Sequence, residues 1–206
     1  MDWADLKLWS DGECELIHQC LLCALLKLVT MKGITLDDDE LDISAKLRPL
    51  LIKSKKELKL IWTLHSEAST FEKPDDKKPS GHPDFRFSQN TPNHDQYDFD
   101  VECKVISKTK AGSSWNYCKN YISDGIMRFK SGKYAQSIPA MGVMIGYVID
   151  GTQADLLFEV NRHAKAYSIN GLTVDPASTV PITQLSNLLV RDAETMTLDH
   201  FWVDVL

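Results

Sequence analysis

The stretch that decides the fold is Asp98-Phe99-Asp100-Val101-Glu102-Cys103-Lys104-Val105-Ile106. Apolar and polar residues alternate with the period of two that an extended strand imposes, so Phe99, Val101, Cys103 and Val105 share one face. Asp98, Asp100, Glu102 and Lys104 share the other. An edge strand tolerates such alternation at no cost, with its charged face in water. The run from Val101 to Ile106 is apolar enough for a central strand, however, and a central strand with an acid and a lysine on one face needs a reason. A divalent cation with a water beside it supplies one, because hard ions take carboxylate oxygens and a nearby ammonium orients the water.

A second carboxylate stands upstream. Asp84-Phe85-Arg86-Phe87-Ser88 alternates, Gln89 to Gln96 reads as a turn, and Tyr97 to Ile106 alternates again. If the two strands are neighbours in a sheet, Asp84 and Glu102 meet at one spot. Pro83-Asp84 followed by Glu102-Cys103-Lys104 resembles the signature of the PD-(D/E)XK nuclease superfamily, the restriction-endonuclease-like fold. The resemblance covers about residues 37–149, since that fold places a helix before these strands and a helix and a strand after them.

The resemblance implies an α/β fold with a mixed central sheet flanked by helices, and Mg²⁺- or Mn²⁺-dependent hydrolysis of phosphodiester bonds in nucleic acid, DNA favoured. Asp84 and Glu102 would ligate the metal, with the carbonyl of Val101 or Cys103 as a further ligand, and Lys104 would serve catalysis. The superfamily commonly adds an acid from its first core helix. Glu40 matches that position and Glu67 is the second choice, while Glu40 equally suits the positive end of a helix dipole. The helix after the strands often donates a cation to a phosphate; Lys119 is the first candidate and Arg128 the second, with Lys108 and Lys110 nearby. A stand-alone core of this size resembles components of prokaryotic restriction or anti-phage systems. The rival reading is a non-catalytic interaction module on the same fold, with the N-terminal helix as its contact surface. An intact acid–acid–lysine set favours catalysis.

Composition is that of an ordinary globular domain and not of a nucleic-acid coat. The chain has 206 residues, 43% hydrophobic and 25% charged, with a formal net charge of −6, which suits one domain spanning 1–206. Charge is uneven: residues 1–100 carry −6, residues 101–133 carry +5 and the remainder −5. That basic stretch can attract phosphate locally, although a solvated charged face explains it as well. The longest apolar run, Leu21 to Val29, is interrupted by Lys27 and falls short of the roughly 20 residues a bilayer requires. The acidic start Met1-Asp2-Trp3-Ala4-Asp5 lacks the positive charge of a signal peptide. A cytoplasmic protein without membrane contact is expected.

Five cysteines, an odd number, make no disulfide framework. Cys14, His18, Cys20 and Cys23 spread around the whole circumference of one helix at about 100° per residue, so they cannot converge on a tetrahedral zinc. No phosphate-binding glycine loop is present.

The wider organisation follows from pattern. Ser10 and Glu13 have capping-box spacing ahead of a helix over 11–32, apolar nearly all round, which predicts cover on both sides by its own domain or a second subunit. The acids Asp37 to Glu40 open a second helix, which Pro49 should break or kink. Residues 58–64 suit a strand or continued helix equally, and 73–83 is the clearest loop. A helix is expected over 113–130, with Tyr121, Ile122, Gly125, Ile126 and Phe129 on the sheet and Gly125 marking close approach. Met141 to Ile149 reads as a strand, 152–165 as a helix and 200–206 as a short strand. With no separate recognition domain evident, specificity must come from loops, a homodimer or a partner subunit.

Overall fold

The computed structural model describes residues 11–31, 33–66, 82–90, 96–108, 116–136, 142–178, 180–191 and 194–206. Two helices come first, α1 (Asp11–Thr30) and α2 (Glu40–Glu57), then strands β1 (Thr63–Ser66), β2 (Phe85–Asn90) and β3 (Gln96–Ser107). A helical crossover follows, in which one turn, α3 (Tyr117–Asn120), runs through a π-helix (Tyr121–Ile126) into α4 (Met127–Lys130). Strand β4 (Gly142–Asp150), helix α5 (Gln153–Ala166) and strands β5 (Thr173–Val174), β6 (Ile182–Arg191) and β7 (Glu194–Asp204) complete the order.

The strands form one seven-stranded mixed sheet, ordered β1-β2-β3-β4-β7-β6-β5. β1, β2 and β3 run antiparallel as a meander. β4 lies parallel to both β3 and β7, and β6 and β5 return antiparallel. Parallel pairing of β3 with β4 requires a crossover, and the α3–π–α4 segment makes it. The expected α/β architecture with a mixed sheet flanked by helices is therefore present, and β3 is an interior strand.

Alternation in β3 divides two cores. Phe99, Val101, Cys103 and Val105 pack with α1 and α2 on one face, while Ile106 joins the π-helix, α4 and α5 on the other. The charged positions of β3 lie on this second face, where Asp100, Glu102 and Lys104 are all buried.

Two expectations need correction. Of the break or kink expected at Pro49, the break does not occur: α2 continues to Glu57 with Pro49 inside it. Losing one backbone hydrogen bond there costs about 3 kcal/mol, and the fully buried Ile43, Leu47 and Leu51 on both sides of the proline anchor the helix across it. The chain itself covers helix α1 on one face, where Ile17, Cys20, Leu21, Ala24, Leu25 and Leu28 are fully buried; Leu16 and Leu26, 38% and 49% exposed, are what a second subunit would have to cover. Spacings of three and four residues mark that single face, and Glu15 and Gln19 hydrogen-bond to each other on the outer one. The final strand is no short 200–206 segment, because β7 starts at Glu194 and forms a hairpin with β6.

The ambiguous 58–64 segment is not a continued helix, and only its end is strand. Leu58 caps α2, Lys59 turns the chain with φ of 56°, and β1 begins at Thr63. Ser10, most of the 73–83 loop, Glu67 and Lys110 lie outside the described residues. No described helix is long and apolar enough to cross a membrane.

Candidate active site

Four elements bring five charged side chains together. The antiparallel register pairs Phe85 with Val101, so one step further Asp84 stands opposite Glu102, as the strand reading expects. Asp84 Oδ2 accepts a hydrogen bond of 2.6 Å from the Cys103 backbone N–H, which ties it to β3. Two residues along, Lys104 projects from the same face as Glu102, and its Nζ lies 2.7 Å from Glu102 Oε1. The same ammonium donates to Glu40 Oε1 at 2.7 Å and to the Cys103 carbonyl at 2.8 Å.

Glu40 arrives from the first residue of α2, held there by local chemistry. Asp39 caps the helix by accepting from the Asp42 N–H at 3.0 Å, and the Asp42 carboxylate accepts from the Asp39 N–H in return. This reciprocal pair fixes where α2 starts, and hence where Glu40 projects.

Arg128 comes from α4. Its Nη1 donates to Glu102 Oε1 and to the Tyr134 hydroxyl, both at 2.7 Å. Tyr134 in turn donates to the His82 carbonyl at 2.8 Å, which holds the chain entering Asp84. Gly125 makes the approach possible. A Cβ there would meet Met144 Cε at 2.5 Å and Lys104 Cγ at 3.5 Å, so the helix passes close to the sheet and a larger residue would have to push the flexible end of Met144 aside. The π-helical turn widens the helix by one residue, and Tyr121, Ile122, Gly125 and Ile126 all face inward.

The electrostatics are unbalanced. Glu102 is only 1% exposed, and its Oε1 takes both cations while its Oε2 is buried with no partner among the described residues. Burial first, and then the Asp84 carboxylate, push Glu102 up to about 8. Burial likewise pushes Asp84 up to about 6, against the pull of Lys104 and the Cys103 amide. Lys104 pays for burial too, but the surrounding Glu102, Glu40 and Asp84 hold it above its usual value, so it stays charged. Three carboxylates against two cations leave one net negative charge when all are ionised.

Among the described residues no three His, Cys, Asp or Glu side chains form a ready cage for an ion. Asp84 and Glu102 supply two carboxylates, one with a lone oxygen. Such a set fits Mg²⁺, which is usually bound through one or two carboxylates and keeps several waters. A cation beside both acids would also offset the burial that raises them and the Asp84 charge that raises Glu102 further.

The cluster opens into a cleft of about 550 Å³ lined by Glu40, Leu41, Lys104, Tyr117, Asn120 and Arg128, among others. Of the two phosphate candidates, Arg128 sits in this cleft and Lys119 does not. Lys119 is exposed on the α3 turn near His163, and Lys108 pairs with Asp155 on the surface at 3.6 Å. Tyr134, Tyr117 and Asn120 carried no motif that would single them out. The helical reading of 113–130 brought Tyr117 and Asn120 near the site, but only packing shows that they line it. No family model, curated protein or solved structure matches the chain.

Proposed function

We propose that the protein is a metal-dependent nuclease of the restriction-endonuclease-like type, hydrolysing phosphodiester bonds of nucleic acid, with DNA the favoured substrate. The observation that carries this reading is the pair of neighbouring carboxylates, part-buried Asp84 and fully buried Glu102, both raised chiefly by burial, with Glu102 Oε2 left without a partner among the described residues. An orphaned, desolvated acid costs stability, and unsatisfied polar groups of this kind concentrate where a ligand completes them.

Asp84 and Glu102 would hold Mg²⁺ or Mn²⁺, with water completing the shell. When bound, the cation supplies charge that lowers the pKa of water toward neutrality and offsets charge on the phosphate. Lys104, locked in the charged form between Glu40 and Glu102, does not act as a base; its fixed positive charge would offset charge that develops on phosphate oxygens, and it can donate to them once Glu102 turns to a metal. Glu40 positions that ammonium. Arg128, braced by Tyr134, holds a neighbouring phosphate oxygen and keeps Glu102 oriented.

The test is incubation of supercoiled plasmid, linear DNA, single-stranded DNA and RNA with the protein in Mg²⁺, Mn²⁺ or EDTA. Cleavage in either metal, none in EDTA and none by Asp84→Asn is the expected result. Metal-independent cleavage, or none on any substrate, overturns the reading. A place in prokaryotic restriction or anti-phage defence is the biological setting this activity would suit.

A further inference from the structure

Resting on the nuclease reading, we infer that the cleft beside the carboxylates is a nucleobase subsite, so that the substrate presents a single unstacked nucleotide rather than an intact duplex. The cleft's volume of about 550 Å³ lies within the range of small-ligand pockets. Its walls are of two kinds. Leu41, Val105 and Tyr117 offer apolar and aromatic surface, and Lys104 and Arg128 offer cations at the end nearest Glu102. A nucleotide has the same two parts: a flat base that stacks on an aromatic side chain and a phosphate that pairs with cations.

Two further observations point to a base. Asn120 lines the cleft, and its amide nitrogen is buried with no partner among the described residues. Its torsion about χ2 is soft, so a small rotation turns the amide toward the cleft, where the edge of a base would accept its hydrogen bond. An orphaned donor of this kind gains a full hydrogen bond without surrendering one to water. Leu41 is 62% exposed at the mouth, an apolar side chain without cover.

The rim argues against a duplex. Asp39 and Asp124 line the cleft, as does Asp38, which Lys46 pairs at 2.7 Å, and the acids there without an ion pair among the described residues repel the twin phosphate rows of double-stranded DNA. One unstacked nucleotide, from a single strand, an end or a flipped position, passes its neutral base between these acids and keeps its phosphate at Lys104 and Arg128.

The experiment measures binding by calorimetry in EDTA, with the four deoxynucleoside 5′-monophosphates and with deoxyribose 5-phosphate as the base-free probe. A twelve-nucleotide single strand and its duplex complete the set. Nucleotides should bind about 10-fold tighter than the sugar phosphate, the equivalent of one stacked base, and the single strand tighter than the duplex. Tyr117→Ala should erase the nucleotide advantage and leave sugar phosphate binding unchanged, whereas Tyr117→Phe should preserve it. Asn120→Ala should level the ranking among the four bases. Thermal melts of each variant establish that it is folded, and the Phe variant and Asn120→Ala decide the matter if Tyr117→Ala is not. Equal binding of nucleotides and sugar phosphate, or a preference for duplex, overturns the subsite. Base-dependent binding without metal-dependent cleavage would overturn the nuclease reading alone, and cleavage with base-blind binding would overturn the subsite alone.

Discussion

Across β3, β4 and β7 the register sets Glu102, Met144 and His200 side by side, so one methionine separates two buried polar clusters on the same face of the sheet. On the β7 side, Trp202 Nε1 donates to the Tyr121 hydroxyl at 3.1 Å, and Tyr121 lies 2.8 Å from His200 Nδ1. His200 Nε2 lies 3.0 Å from Asn187 Oδ1, and Asn187 donates onward to the Asn170 carbonyl at 3.1 Å. A neutral imidazole with its proton on Nε2 satisfies each of these contacts. On the β3 side, two acids repel each other and one oxygen is orphaned. Both clusters are covered by the same helical crossover, through Tyr121 at one end and Arg128 at the other. The contrast separates two uses of buried polarity. A closed network of neutral groups specifies the packing of π-helix on sheet, whereas an open, charged one is poised for a ligand.

The sharpest way to break this comparison is through activity. Lys104→Ala should lower kcat by on the order of 10²-fold or more, the usual cost of losing one preorganised donor, with the fold and most metal binding retained; calorimetry and cleavage rates check both. Full activity in that variant would end the site assignment. Lys119→Ala, on the exposed turn outside the cleft, should leave cleavage within about twofold, a difference the same assay reads.

Stability should respond in the opposite place. Tyr121→Phe strips the Trp202 and His200 nitrogens of their shared partner and should cost about 1–3 kcal/mol, measured by denaturant unfolding, with kcat unchanged in the folded protein.

The two clusters also titrate in opposite senses. Asp84 and Glu102 have folded-state values near 6 and 8, above their unfolded values, so the folded chain holds more protons. Stability in EDTA should therefore fall as pH rises from about 4 through about 8. His200 is lowered to about 3 by burial, so its contribution is lost as pH falls from about 6.5 toward 3. Mg²⁺ should flatten the alkaline limb and leave the acidic one, which thermal melts over pH with and without the ion would show. An alkaline limb insensitive to Mg²⁺ would separate the raised acids from any cation.

The smallest effect is expected at the point between the clusters. Gly125→Ala gains about 1 kcal/mol of helix propensity but forces the flexible end of Met144 aside and presses toward Lys104. Stability should shift by less than about 1 kcal/mol, and cleavage should fall several-fold if Lys104 is displaced.

How much of this could be read beforehand differs by element. The β2–β3 pair, the acids on one face of β3, the acid-marked start of α2 and the close pass at Gly125 were all legible, because each rests on spacing within a few residues or on one local pattern. The 166–199 region was not, since β6 and β7 carry mixed patterns whose sense appears only once they pair. Pro49 misled because local rules weigh a lost hydrogen bond and omit the buried residues that outvote it. Lys119 and Arg128 were separated by the structure: Arg128 reaches Glu102, while Lys119 is exposed outside the cleft.

By itself the sequence determined which strand is central, which face of it is charged, and which acids and lysine share that face, since strand periodicity is a property of the backbone. Only the tertiary structure decided that Glu40 joins them, that both cations converge on one oxygen of Glu102 and leave the other bare, and that Tyr117 and Asn120 wall a cleft beside it. Those relations join residues from α2, β3 and the crossover helix, far apart in the chain, and burial sets their energies. Burial exists only once the sheet has been covered on both faces.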